Sequence, residues 1–169
     1  DDSLPQKGPG RAENGNLHLN EFEVRAVCPG AQEGDNLKIR RATADFDQEG
    51  WTIQHAIDGN PATAWGIHPQ EGAPHFAVFE LDTPLTPEPG MRLQVVLRQI
   101  HGRNHVIGRF RLSATDAPPE MTLALTADAE EILAIPLYQR SLEQQAILSA
   151  AILKRKAETE LSQLPAQPK

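Results

Sequence analysis

The sequence predicts an all-β fold, an antiparallel β-sandwich, with a helical appendage at its C-terminal end. Three observations carry that expectation. Short apolar runs separated by Gly, Pro and Asn turn chemistry recur from Leu17 to about Thr115. No long amphipathic helical pattern interrupts them, which argues against βαβ units. After "DAPPE" (116–120) the composition switches to helix formers with an apolar stripe.

The elements follow in order. Residues 1–16 are rich in Gly, Pro, Asn and charge without periodicity, and read as a disordered or extended leader. "LHLNEFEVRAV" alternates at Leu17 and Leu19, then shifts register to Phe22, Val24 and Ala26, which places a bulge near Asn20–Glu21. "NLKIRRATADF" is a second strand, with Leu37 and Ile39 on one face. "HFAVFELD" is apolar on both faces and reads as a central strand. Pro84, Pro87, Pro89 and Gly90 break the chain before "MRLQVVLRQI", where Met91, Leu93, Val95 and Leu97 alternate. "HGRNH" (101–105) is a turn. "VIGRFRLSAT" is a fifth strand with Phe110 and Leu112 inward. The β module thus spans 17–118, and 119–169 forms the appendage or the start of a following domain. In it "ADAEEILAI" is a short helix stopped by Pro136. Ser141 and Gln144 form a capping-box pattern ahead of a long helix striped by Leu142, Ile147, Leu148, Ala151, Ile152 and Leu161. "PAQPK" is a frayed end.

Composition excludes several function classes. The chain has 169 residues and a formal net charge of −7, with its one basic run, Lys154-Arg155-Lys156, followed by Glu158 and Glu160. A phosphate-backbone partner needs a clustered basic face, so no nucleic-acid partner is expected. No apolar run is long enough to span a bilayer, and no signal peptide is present, so no membrane insertion is expected. The single cysteine, Cys28, has no internal partner and reads as a buried or half-buried structural thiol. Gly-x-Ser-x-Gly and phosphate-loop motifs are absent, and the 5% aromatic content is low for an active cleft, so no enzyme is expected.

The densest chemistry lies in "AIDGNPATAWGIHP" (56–69). Asp58, the carbonyls around it and the Thr63 hydroxyl lie within reach of one point, as a hard cation requires. Asp-Gly-Asn-Pro is equally good turn chemistry with no metal at all. The histidines His68, His75, His101 and His105 fall in loop-like positions. They admit three readings: ligands for a transition metal, buried rings bonded to sheet backbone, or sugar recognition by imidazole, guanidinium and amide donors beside an indole. The sugar site would comprise Trp65, His68, His75, Asn104, His105 and Arg109. Trp65 also reads as a packing residue, and Trp51 as a loop tip. Arg109 and Arg111 share a face as solvated arginines or as a cluster for an anionic sugar.

The pattern Ala-x-Asp-Gly-Asn-x-x-Thr-x-Trp, present as Ala56, Asp58, Gly59, Asn60, Thr63 and Trp65, resembles the discoidin family (the factor 5/8 type C domains) of galactose-binding-like jelly rolls. That family ends on a strand whose glutamate helps bind calcium. No such strand follows Thr115, and "LNEFEV" stands ahead of the core instead. The resemblance therefore implies a circularly permuted order, with Glu21, Asp58, Asn60 and Thr63 around one structural calcium. The run "NEFEV … ATADF … QEG … AIDG … IHPQ … AVFEL … GRFRLS", which covers most of 18–115, also resembles a module of large secreted planctomycete proteins that carry c-type cytochrome domains. That resemblance implies a secreted or periplasmic location and association with polysaccharide-handling machinery. The expected function is non-catalytic binding of a polysaccharide or oligosaccharide in an exported multidomain protein. The alternative is a structural or docking module holding other domains of the parent protein together.

Overall fold

A computed structural model describes residues 1–117 and 127–162. The chain divides into two compact units, Asp1–Ala124 and Leu125–Lys169. The first is built from two antiparallel sheets. Strands β1 (Glu21–Val27), β2 (Asp35–Leu37), β3 (Ile39–Ala44), β4 (Ala77–Leu81) and β5 (Arg92–Arg98) form a three-stranded sheet of order β2-β1-β5 and a two-stranded sheet β3-β4.

Register sets the faces of the larger sheet. Phe22 lies opposite Leu97, Val24 opposite Val95 and Ala26 opposite Leu93, so one face is apolar. Glu21 opposite Arg98 and Arg25 opposite Gln94 occupy the other. A slip by one residue would exchange them. On the polar face Glu23 bonds both Arg25 and Arg98, and these hydrogen bonds hold its carboxyl below the usual range. In the smaller sheet Arg40 and Arg41 both pair with Glu80 across a register shift between Ile39 and Arg41. Phe22 stacks on Phe79 of β4 at 3.8 Å between centroids, bringing the two sheets together.

The centre of the core is built mostly by irregular chain. Leu17, Leu19, Ala42, Ile53, Ala56, Trp65 and Ile67 form the buried cluster, and only Ala42 of these belongs to a strand. Phe22, Phe79, Leu97 and Ile107 pack against it partly buried. The register slip expected near Asn20–Glu21 falls where the chain changes partner: Leu19 bridges Trp65, whereas Glu21 pairs with Arg98. The Asn20 amide is buried at this junction. It donates to the Pro61 and Thr63 carbonyls at 3.0 and 2.9 Å and accepts from the Ile100 N–H at 2.8 Å. The side chain supplies what a continuous ladder would have satisfied.

Four expectations are corrected. "NLKIRRATADF" is two strands, since β2 and β3 belong to different sheets. β4 is not central: it pairs only with β3 in a two-stranded sheet, and its apolar residues are half-buried. "VIGRFRLSAT" forms no fifth strand, and Phe110 and Leu112 are not inward but 59% and 51% exposed. Its first residues pair instead with the segment read as a disordered or extended leader. Gly10 bridges Ile107, Arg11 N–H donates to the Val106 carbonyl at 2.9 Å, and Gly108 N–H donates to the Pro9 carbonyl at 2.8 Å. Leu4 and Ala12 are buried. Gly10 explains the absent periodicity: a Cβ there would lie 1.8 Å from the Asn16 carbonyl oxygen, so backbone packs where a side chain would clash. Cys28 is half-buried with a free thiol.

The second unit contains α1 (Ala127–Ala134) and α2 (Leu142–Ser162). The Arg140 guanidinium closes the end of α1 through the Ile135 and Leu133 carbonyls at 2.8 and 3.1 Å. The capping box is formed reciprocally. Ser141 N–H donates to Gln144 Oε1 at 2.9 Å, and Gln144 N–H donates to Ser141 Oγ at 3.2 Å. Ser141→Ala is expected to cost α2 about 1 kcal/mol, read as lost helicity by circular dichroism on mild heating; unchanged helicity contradicts the cap. On the expected stripe Leu142 and Ile152 are exposed. The side chain of Leu161, residues 118–126 and the "PAQPK" end lie outside the described residues. No helix among the described residues is long and apolar enough to cross a membrane.

Candidate functional site: an imidazole–indole cluster

His18 lies between two core leucines. In an extended segment neighbouring side chains point to opposite faces. With Leu17 and Leu19 in the core, His18 is directed to the other side, where it is 4% exposed. Its N–H donates to the His105 carbonyl at 2.9 Å, tying this segment to the 101–105 turn. The ring stacks on Trp51 at 4.4 Å and on His105 at 4.6 Å, with planes within about 10° of parallel. His101 stands edge-on, 4.0 Å from His18 and 5.1 Å from both Trp51 and His105.

Backbone geometry assembles these rings. Trp51 N–H donates to the Gln48 carbonyl at 2.8 Å, and Gly66 N–H donates to the Trp51 carbonyl at 3.0 Å. Gly66 lets His18 come close: a Cβ there would lie 3.1 Å from His18 Nε2 and 2.6 Å from Gln48 Oε1, so both side chains would have to shift. The turn holds three successive left-handed residues, Gly102, Arg103 and Asn104, with φ of 87°, 49° and 58°. An arginine in that region is strained, and the turn brings His101 and His105 to the same ring, His18.

Burial pushes the His18 imidazole down to about 4, assisted by His101 and His105. His101 is also lowered, by burial, His105 and Arg103. At neutral pH His18 is therefore an uncharged ring, and neither of its nitrogens has a hydrogen-bond partner. His105 Nδ1 lies 3.1 Å from the Gly102 carbonyl, which leaves its Nε2 for other partners.

The six residues assigned to a sugar site lie in five separate places. Trp65 is 5% exposed and donates from Nε1 to the Phe46 carbonyl at 3.0 Å, so it packs the core and presents no face to a ligand. His75 is buried beside Asp45, with Nδ1 2.9 Å from the carboxylate and Nε2 2.7 Å from the Gln70 carbonyl. Burial alone would lower its pKa, but the Asp45 and Gln70 hydrogen bonds and the Asp45 and Glu71 charges raise it. Both nitrogens are occupied, so His75 is a structural ring. His68 pairs with Glu71 at 2.8 Å beside Gln6 and Asn14. Arg109 pairs with Asp1 at 3.1 Å. Only Asn104 and His105 are brought together, in the 101–105 turn. His18 and Trp51 were missed as site residues. The alternation of "LHL" was the available signal for His18; the loop contact that places Trp51 has no local signature.

The oxygen set is arranged differently. Asp58 accepts from the Asn60 N–H at 2.8 Å through Oδ1 and from Thr63 Oγ1 at 2.8 Å through Oδ2. Asn60 Oδ1 accepts from the Ala62 N–H at 3.1 Å. These bonds account for the turn without a cation. Glu21 is the exception. It is buried, and its Oε1 has no partner. Burial raises its pKa, as do the charges of Asp58 and Glu23, against Arg98 and the Gly59 N–H. Two carboxylates distant in sequence therefore act on each other, and one of them holds an unsatisfied buried oxygen.

Comparison with protein-family models, with curated proteins and with solved structures finds no match for this chain.

Proposed function

We propose that the first unit is a non-catalytic carbohydrate-binding module, a permuted galactose-binding-like sandwich stabilised by calcium, belonging to an exported multidomain protein. The observation that supports binding is the imidazole–indole cluster. Trp51 supplies a half-buried indole, exposed His101 and half-buried His105 supply ring donors and acceptors, and Arg103 and Asn104 add exposed donors at the same turn. Aromatic area with a few placed polar groups is what a sugar ring requires. The ligand face in this proposal is Trp51, His101, Asn104 and His105. A glycan array with calcium present is expected to show retention of the wild type on a neutral or anionic polysaccharide. Trp51→Ala should lose that retention while keeping the wild-type circular dichroism. A blank array overturns the glycan reading.

For calcium the residues present fit: Glu21 and Asp58 carboxylates, the Thr63 hydroxyl and nearby carbonyls are all hard oxygen donors. Asn60 enters through its place in the turn. An ion there would satisfy the orphaned Glu21 oxygen and offset the repulsion from Asp58. Without an ion, the raised Glu21 pKa makes stability fall as pH rises from 4.5 through the native value, because the folded state holds that proton more tightly. Glu21→Gln is therefore expected to raise the melting temperature in EDTA and to abolish the rise that calcium gives the wild type. The stabilisation behind that rise should approach about 2.7 kcal/mol at a hundredfold excess over Kd. An equal calcium response in both proteins contradicts the site.

The docking alternative has its own support. Leu93, Ile100, Phe110 and Leu112 are each half-exposed or more. A shallow groove of about 630 Å³ is lined by Phe22, Leu37, Ile57 and Ile100 together with Glu21 and Arg98. A blank array would favour this reading.

A further inference from the structure

We infer that His18, His101 and His105 form a binding site for a late first-row divalent metal ion, zinc being the probe of choice. One ligand-capable nitrogen from each of the three rings lies within 4.8 Å of the other two. Zinc–nitrogen bonds are about 2.0–2.1 Å, so tetrahedral ligand atoms stand roughly 3.3 Å apart. Closing that gap requires rotation of exposed His101 and a tilt of His105 away from its parallel stack on His18.

The second observation is the state of His18 itself. Its ring is buried, yet both nitrogens lack a hydrogen-bond partner. A buried polar group normally has one, because leaving it unpaired costs free energy. An ion held by one nitrogen removes that nitrogen's share of the cost. His105 is oriented by a second contact, its Nδ1 facing the Gly102 carbonyl, in the way ligating imidazoles are commonly held from behind. The strained turn at Arg103 and Asn104 is what delivers two of the three ligands.

The donor set decides the metal class. Three imidazoles without a carboxylate or thiolate suit zinc, copper or nickel, and not calcium or magnesium. The site is therefore chemically distinct from the oxygen donors around Glu21 and Asp58. Three protein ligands leave the fourth position of a tetrahedral ion to water.

The test is calorimetric titration of the EDTA-treated, dialysed chain with zinc chloride, without glycan or calcium, so that its outcome is independent of the glycan reading. One zinc per chain is expected at micromolar Kd or tighter. His101→Ala, an exposed substitution that spares the core, should weaken binding at least tenfold, whereas His68→Ala should leave it unchanged. X-ray absorption of the loaded protein should show nitrogen scatterers at about 2.0 Å with an imidazole pattern. No heat with zinc, copper or nickel overturns the inference. So does zinc binding that survives in His101→Ala, which would mark an adventitious surface site.

Discussion

Trp65→Ala is expected to cost the β unit about 3–5 kcal/mol, the largest single-residue effect in this fold. Trp65 is 5% exposed in the buried cluster with Leu17, Leu19, Ile53 and Ile67. Its backbone exchanges both hydrogen bonds with Leu19, at 2.9 and 3.0 Å, so one residue joins two irregular segments. Removing the indole leaves a cavity and strips the Phe46 carbonyl of its donor. Whole domains are stable by only about 5–15 kcal/mol, so this is a large fraction. Trp65→Phe separates the two causes: it retains most of the packing and should lose about 1 kcal/mol with the hydrogen bond. Urea unfolding followed by circular dichroism measures both. A loss below about 1 kcal/mol for Trp65→Ala would contradict its place at the centre of the core.

Mild acid should destabilise the metal-free protein through His18. Its pKa falls from 6.5 in the unfolded chain to about 4 in the fold. Between those values the unfolded state takes up a proton that the folded state refuses. Stability is therefore complete above pH 6.5 and declines as pH falls toward 4, by on the order of 3 kcal/mol in all. His101 and His105 face His18, and His101, whose pKa is also lowered, acts in the same direction. His75 acts in another window: its raised pKa gives stability that is full below pH 6.5 and lost as pH rises through the native value. Glu23, whose pKa is lowered, loses its contribution only as pH falls below 4.5. Glu21, whose pKa is raised, acts in the opposite sense as pH falls toward 4.5 and is common to both proteins, so urea midpoints of the wild type and of His18→Phe compared from pH 6.5 to 5 isolate His18. The wild type should lose more stability across that range than His18→Phe, which keeps a stacking ring between Trp51 and His105. Equal slopes in both proteins would contradict a buried neutral His18.

The sequence disclosed those parts of the fold whose reasons are local. The alternation of Phe22, Val24 and Ala26, the run around Val95 and Leu97, and the Ser141–Gln144 box each state their structure within a few residues, and each is formed. The pairing of Gly10 with Ile107 had no such signal, because a strand-like bridge made by a glycine has no side chain to alternate. "VIGRFRLSAT" carried a strand pattern, but its available partner was the Gly-rich segment, whose backbone it meets at Val106 to Gly108 while Arg109 adds only a side-chain pair to Asp1. The oxygen set was legible as a turn, and Glu21 does reach the charge of Asp58. The ring cluster was half legible: "HGRNH" read as a turn with two imidazoles, but the partners His18 and Trp51 come from positions that only tertiary contacts bring together.

The binding reading is tested most directly by following the aromatic carbon–proton signals of the six histidines and two tryptophans while the intact chain, with calcium, is titrated with a pool of neutral and anionic oligosaccharides. The account predicts that Trp51, His101 and His105 shift together and saturably, while Trp65, His75 and His55, whose Nδ1 lies 3.2 Å from the Ala64 carbonyl, stay in place. Shifts confined to His68 or His75, or no shift in any ring, would contradict it.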